Sequence, residues 1–180
     1  MEVGGSGFMN ITGVSPDPTD VDTIEIYLMN GTTPYEEIDH QKGVLKTNGR
    51  VSVTFSNAVI DGTSYYIKIN HHNSIETWSA SPVLFNSSTT YNFSSDITQA
   101  FGSNMVATND NLYWAIYNGD VNLDGSIDGL DFLRLDSHIQ NGDGGYFDED
   151  LNGDGSIDGL DYLIMDSNIQ NGIGINIPTP

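Results

Sequence analysis

Residues 119–142 read GDVNLDGSIDGLDFLRLDSHIQNG and residues 149–172 read EDLNGDGSIDGLDYLIMDSNIQNG, identical at 17 of 24 aligned positions. Repetition this close means one supersecondary unit used twice, and such a pair packs about a pseudo-two-fold axis. Each copy holds the pattern D-x-N-x-D-G-x-I-D-x-x-D and runs directly into a stretch whose apolar residues recur at helical spacing.

That spacing is the one a calcium loop needs. Calcium takes six to eight oxygen ligands, and a twelve-residue EF-hand-type loop supplies them from positions 1, 3, 5, 7, 9 and 12. In the loop 120–131 these positions are Asp120, Asn122, Asp124, the Ser126 carbonyl, Asp128 and Asp131. In the loop 150–161 they are Asp150, Asn152, Asp154, the Ser156 carbonyl, Asp158 and Asp161. Position 9 often acts through a water. Gly125 and Gly155 stand at position 6, where the bend wants φ > 0. Ile127 and Ile157 at position 8 are apolar anchors, expected to pair with each other across the pseudo-dyad as a short β-bridge. Asp131 and Asp161 fall in the first turn of the following helix, where the dipole favours an anion. Mg²⁺ fits less well, because it prefers a smaller octahedral shell and keeps its waters.

The charge distribution agrees. The chain of 180 residues has a formal net charge of −20, and residues 119–180 carry −12 of it with Arg134 as the only base. So acidic a small unit repels itself unless cations neutralise it; two Ca²⁺ ions are the expected complement. The same charge argues against nucleic acid and anionic membrane as partners. No run of 18 apolar residues occurs, so no membrane insertion is expected. Cysteine is absent, which excludes disulfides, thiol catalysis and thiolate zinc sites.

Before residue 118 the periodicity is that of strands. Alternation marks Asp22–Met29, Arg50–Phe55 (after the Asn48-Gly49 turn signal) and Ser64–Asn70. Ile75–Trp78, Pro82–Phe85, Thr90–Phe93 and Leu112–Tyr117 are further candidates, and Asp96–Phe101 reads as a helical turn. The expected fold is mainly β with a small α module: an antiparallel Ig-like β-sandwich over 8–118, then a pair of calcium loop-helix units over 119–173. Residues 1–7 read as a linker, and 174–180 as a linker or tail. Only Asn118 and Gly119 separate the last strand from Asp120, so the calcium unit is expected to dock rigidly on the sandwich.

The pair of loops resembles a dockerin domain over residues 119–172. In that family a helix follows each calcium loop but none precedes it. Trp114-Ala115-Ile116-Tyr117 is strand-like and Gly144-Gly145-Tyr146-Phe147 is too glycine-rich for a helix, as the resemblance requires. Asp at position 12 matches as well. The resemblance implies a cohesin partner recognised through loop positions 10 and 11, which here are Gly129-Leu130 and Gly159-Leu160. The β part, including Tyr65-Tyr66-Ile67-Lys68-Ile69, resembles modules of large secreted or cell-surface proteins of gliding-type bacteria.

Apolar faces run along both helices, through Leu130, Phe132, Leu133, Leu135 and Ile139, and through Leu160, Tyr162, Leu163, Met165 and Ile169. Arg134 and Ile164 occupy the same repeat position, so the Ile164 side is expected to be covered and the Arg134 side wet. His71 and His72 are expected on opposite faces of a strand, unable to share an ion. Trp78 and Trp114 could form a polysaccharide-binding platform, though aromatics at strand spacing are more often core. No nucleophile elbow or phosphate loop is present, and no enzyme is expected. The main expectation is a non-catalytic, calcium-stiffened structural module contacting neighbouring domains of its parent chain. The first alternative is a docking module for a cohesin-like protein, and the second a carbohydrate-binding sandwich.

Overall fold

The computed structural model describes residues 8–56, 59 and 61–179, so the expected linker 1–7 lies outside the described residues. After the single helical turn α1 (Phe8–Ile11), β1 (Asp20–Asn30) lies between β2 (Glu37–Lys46) and β3 (Thr63–Asn70), antiparallel to both. The outer edge of β3 pairs with β4 (Thr77–Trp78) at one end and β5 (Val83–Phe85) at the other. A separate ribbon joins β6 (Val106–Ala107) to β7 (Trp114–Ala115). The two sequence repeats contribute α2 (Gly129–Asn141) and α3 (Gly159–Gln170).

The period-two pattern of β3 explains why both faces of the sheet are covered. Tyr65 and Ile67 point to one face, where they join Leu28 and Phe85; Tyr66 points to the other and joins Met29 and Trp78. The covering layers are irregular chain. Phe55, Tyr91 and Phe93 close the first face, while Tyr35 and Phe101 close the second.

This differs from the expected two-sheet arrangement. The chain is mainly β, but among the described residues one five-stranded sheet and a two-stranded ribbon stand where an Ig-like β-sandwich was expected. Residues 50–55 and 90–93 carry the alternation of half-buried strands yet join no ladder. Alternation reports one buried face; it does not report a hydrogen-bonding neighbour. Val51 and Val53 instead lie across Gly43, where a Cβ would come within 2.4 and 2.8 Å of their methyl groups. The expected turn at 96–101 is there as short 3-10 turns at Ile97–Gln99 and Phe101–Ser103. Strand β2 was invisible to patterning because EIDHQKGVLK is largely polar and sits on the sheet edge.

The two parts of the chain share a seam and a core. Backbone bonds run from the Ile75 N–H to the Tyr117 carbonyl (2.9 Å) and from the Gly119 N–H to the Asn73 carbonyl (2.6 Å). Ile75, fully buried, belongs to the same cluster as Val121, Ile127, Leu135, Leu151, Ile157 and Met165. The β part thus lends one side chain to the interior of the calcium unit, and Ile164 packs against that cluster while Arg134 is exposed. The segment expected as a linker or tail also lies against the body. Asn104 Nδ2 donates to the Gly174 carbonyl at 3.0 Å, and the Tyr35 hydroxyl to the Thr179 carbonyl at 3.2 Å.

Truncating Ile75 to Ala removes a plug from this shared core. The expected loss is about 2–4 kcal/mol, read as a lower melting temperature of the calcium-loaded protein. A melting curve identical to that of the parent would remove Ile75 from the load path between the two parts.

Candidate metal centre

Each loop is a ring of backbone N–H groups closing on carboxylates. In the first, Asp120 accepts from the N–H groups of Asp124 and Gly125, both at 3.1 Å. Asp131 reaches back from the helix: one oxygen accepts from Val121 (3.0 Å) and Asn122 (3.1 Å), the other from Asp128 (2.9 Å). Asn122 Nδ2 donates to Asp124 at 2.9 Å, and Asp124 accepts from the Ser126 N–H at 3.1 Å. The second loop repeats this circuit. Asp161 accepts from Leu151, Asn152 and Asp158, and Asp150 from Gly153, Asp154 and Gly155. Asp154 accepts from Asn152 Nδ2 and from the Ser156 N–H. All twelve residues read from the sequence as candidate ligands therefore lie in two loops of matching hydrogen-bond pattern.

Two residues of each loop also set the helix. Asp128 is the N-cap of α2 and accepts from the Leu130 N–H at 2.7 Å, while Asp131 closes a capping box; Asp158 and Asp161 do the same for α3. Position 9 is thus occupied by helix capping, consistent with a water between it and an ion. Gly125 and Gly155 have φ of +90° and +86°, the bend that position 6 demands.

The position 8 isoleucines do not bridge each other as expected. Ile127 N–H donates to the Ile173 carbonyl (2.9 Å), and Ile157 N–H to the Asp143 carbonyl (3.3 Å), while Ser126 pairs with Gly174 and Ser156 with Gly144. Each loop therefore pairs with the segment that leaves the other repeat's helix. This follows from omitting the helix before each loop, which leaves the exit segment of the opposite helix as the nearest free backbone. Both isoleucines still meet in the common core.

The donor set fits a hard cation. Asp120, Asp131, Asp150 and Asp161 are buried carboxylates that accept hydrogen bonds from backbone N–H groups. Burial, reinforced by the neighbouring Asp131 and Asp124 charges, pushes Asp120 up to about 6; burial also raises Asp150. A cation with oxygen preference relieves that cost.

Three features escaped the sequence reading. Leu123, at position 4, has φ +57°, whereas its repeat partner Gly153 holds the same conformation at +74° without a Cβ. Arg134, expected only to meet water, donates to the Val121 carbonyl at 2.6 Å and lies 3.2 Å from the buried Glu149. His138 sits between Asp143 (2.8 Å) and Glu149 (3.6 Å). The Leu/Gly mismatch between the two repeats at loop position 4 was the one signal available for the first. Trp78, offered as a sugar platform, is instead buried edge-on against Tyr66 at 5.7 Å.

The tandem arrangement, loop then helix twice with no helix ahead of either loop, defines a class of calcium unit. Residues 118–170 match the model of the dockerin type I domain. Among solved structures, the chain is similar to one from a type II cohesin–X–dockerin complex of Acetivibrio cellulolyticus, an N-terminal interface mutant. The similarity is 18% identity over 81% of this chain and 80% of that one, with a TM-score of 0.47. No curated protein matches. Over these residues the C-terminal unit is dockerin-like.

Replacing Leu123 by Gly should relieve about 1 kcal/mol of left-handed strain and raise the melting temperature of the calcium-loaded protein; a lower one would refute strain at position 4. The pH dependence has a definite sign. Asp120 has a folded, metal-free pKa near 6 against an ordinary 3.8, so the metal-free fold loses stability as pH rises through that window. A proton competes with the ion in the same window. Calcium affinity of the first loop should fall as pH drops through about 6, which titration calorimetry in two buffers reads as proton release.

Proposed function

We propose that this chain is a non-catalytic docking module in which calcium folds the C-terminal unit so that it presents an apolar face to a cohesin-like protein. The observation that carries the reading is the exposure of four repeat-related leucines, Leu130, Leu133, Leu160 and Leu163, at 57, 62, 56 and 61%. They lie at loop position 11 and one turn further along each helix, and the interior of the unit is filled without them. Gly129 and Gly159 beside them have open space where a Cβ would be, so the backbone there can be approached closely. Exposed leucines in matched pairs are costly on a solitary surface and suit a partner. The dockerin-type match over 118–170 supports the same reading.

One ion per loop is the proposed complement, held by Asp120, Asn122, Asp124, Ser126, Asp128 and Asp131 and by Asp150, Asn152, Asp154, Ser156, Asp158 and Asp161. The structural role first expected of calcium is retained as a means: the ions set the two loops, the loops cap the helices, and the capped helices hold the leucines in place. A secreted or cell-surface setting, where calcium is abundant, suits that dependence. The pseudo-symmetry offers either repeat to the partner.

The test is titration of the calcium-loaded chain with a panel of type I and type II cohesin domains. One panel member should bind one to one and be released by chelator. Leu130→Asp alone should change affinity by only about 2-fold, because the other repeat remains. Leu130→Asp with Leu160→Asp should weaken it by about 100-fold or more. A panel in which nothing binds, or a double variant that binds like the parent, would contradict the docking role.

A further inference from the structure

The β part carries a constellation that the docking role does not use. β3 ends at Asn70, so His71 and His72 leave the strand and do not diverge across it as strand spacing suggests. Their rings tilt toward each other with centroids 4.2 Å apart. His71 Nε2 lies 3.0 Å, and His72 Nε2 2.9 Å, from the same oxygen, Oδ2 of the buried Asp22 in β1. The three ligand atoms lie within 4.8 Å of one another.

We propose that Asp22, His71 and His72 form a zinc site distinct from the calcium loops. Zinc bonds of about 2.0–2.1 Å in a tetrahedral shell place neighbouring ligand atoms about 3.3 Å apart, close to the two separations seen. A polar group stands behind each ligand. His71 Nδ1 lies 2.8 Å from Asn73 Oδ1. His72 Nδ1 lies 2.8 Å from Asp148 Oδ1, a close ion-pair contact off the hydrogen-bond line. Asp22 Oδ1 accepts from the Thr23 N–H at 2.6 Å and from the Tyr146 hydroxyl. With the proton on Nδ1 of each ring, both Nε2 atoms can ligate beside the Asp22 carboxylate, and fixing the remote nitrogen is how metal-binding histidines are oriented. In the metal-free chain His72 Nε2 and Asp22 share a hydrogen bond, which an ion would replace.

The donor set chooses the ion. Two imidazoles and a carboxylate suit zinc, whereas calcium seeks oxygen alone. A cleft of about 140 Å³ lined by Thr23, Asn70, His71, His72 and Leu123, among others, opens beside the histidines and gives entry and room for a fourth, water ligand. The position of the site gives it a consequence. Asp22 comes from β1 and the two histidines from the turn that leaves β3, while Asp148 and Tyr146 behind them belong to the link between the two repeats. Zinc would therefore clasp the two parts of the chain together.

The experiment is zinc titration calorimetry on the full chain in millimolar calcium, which keeps the loops filled. One Zn²⁺ per chain is expected, with a melting temperature above that of the calcium form alone. His71→Gln and His72→Gln should each weaken zinc binding by about 100-fold or more and leave calcium binding intact, whereas His40→Gln should change neither. Cobalt substitution gives a reading independent of the variants: the parent should show the intense visible absorption of a four-coordinate ion. No zinc uptake, uptake unchanged in His71→Gln/His72→Gln, or a pale six-coordinate cobalt spectrum would overturn the site.

Discussion

The last carboxylate of each loop holds this structure together. Asp131 and Asp161 are fully buried, each gripped by three backbone N–H groups: two from the start of its own loop and one from the residue capping its helix. A single side chain therefore closes the loop, starts the helix and supplies negative charge to the cavity. Removing the charge would leave the helix without its box, and leaving the charge uncompensated would hold an anion away from water. A bound cation resolves both. Everything outward of that point, including the position of the exposed leucines, inherits its geometry from those two residues.

The calcium unit does not fold around itself alone. Ile75 fills its interior from the β part, and the loops are braced by the segments leaving the opposite helices. The exit segment after α3 continues past the first loop and along the β part, where Gly174 and Thr179 accept hydrogen bonds from Asn104 and Tyr35. An interlocked arrangement of this kind turns local ion binding into a constraint on the whole chain.

How much of this the sequence disclosed depends on how local the physics is. The matching course of the two loops was legible, because oxygen spacing along twelve residues is a covalent fact and the repeat states it twice. The main strands β1 and β3 were legible from alternation. The covering layers were not: Val51, Val53 and Phe55 have the pattern of a strand, yet tertiary packing over Gly43 decides that they pair with nothing. Strand β2 was hidden for the opposite reason, since an edge strand facing water needs no apolar stripe. The crossed bridges of Ile127 and Ile157 depend on what lies beyond each helix, and no window centred on the loop contains that. The convergence of His71 and His72 required knowing that β3 stops one residue before them.

Backbone hydrogen exchange of the metal-free chain, followed residue by residue as calcium is added, tests the central claim most directly. The account predicts that the amides of Val121, Asn122, Leu151 and Asn152 exchange freely without the ion and become protected together as two equivalents bind, with Ile75 gaining protection in the same step. Full protection of those amides in the presence of chelator, with no change on adding calcium, would contradict it.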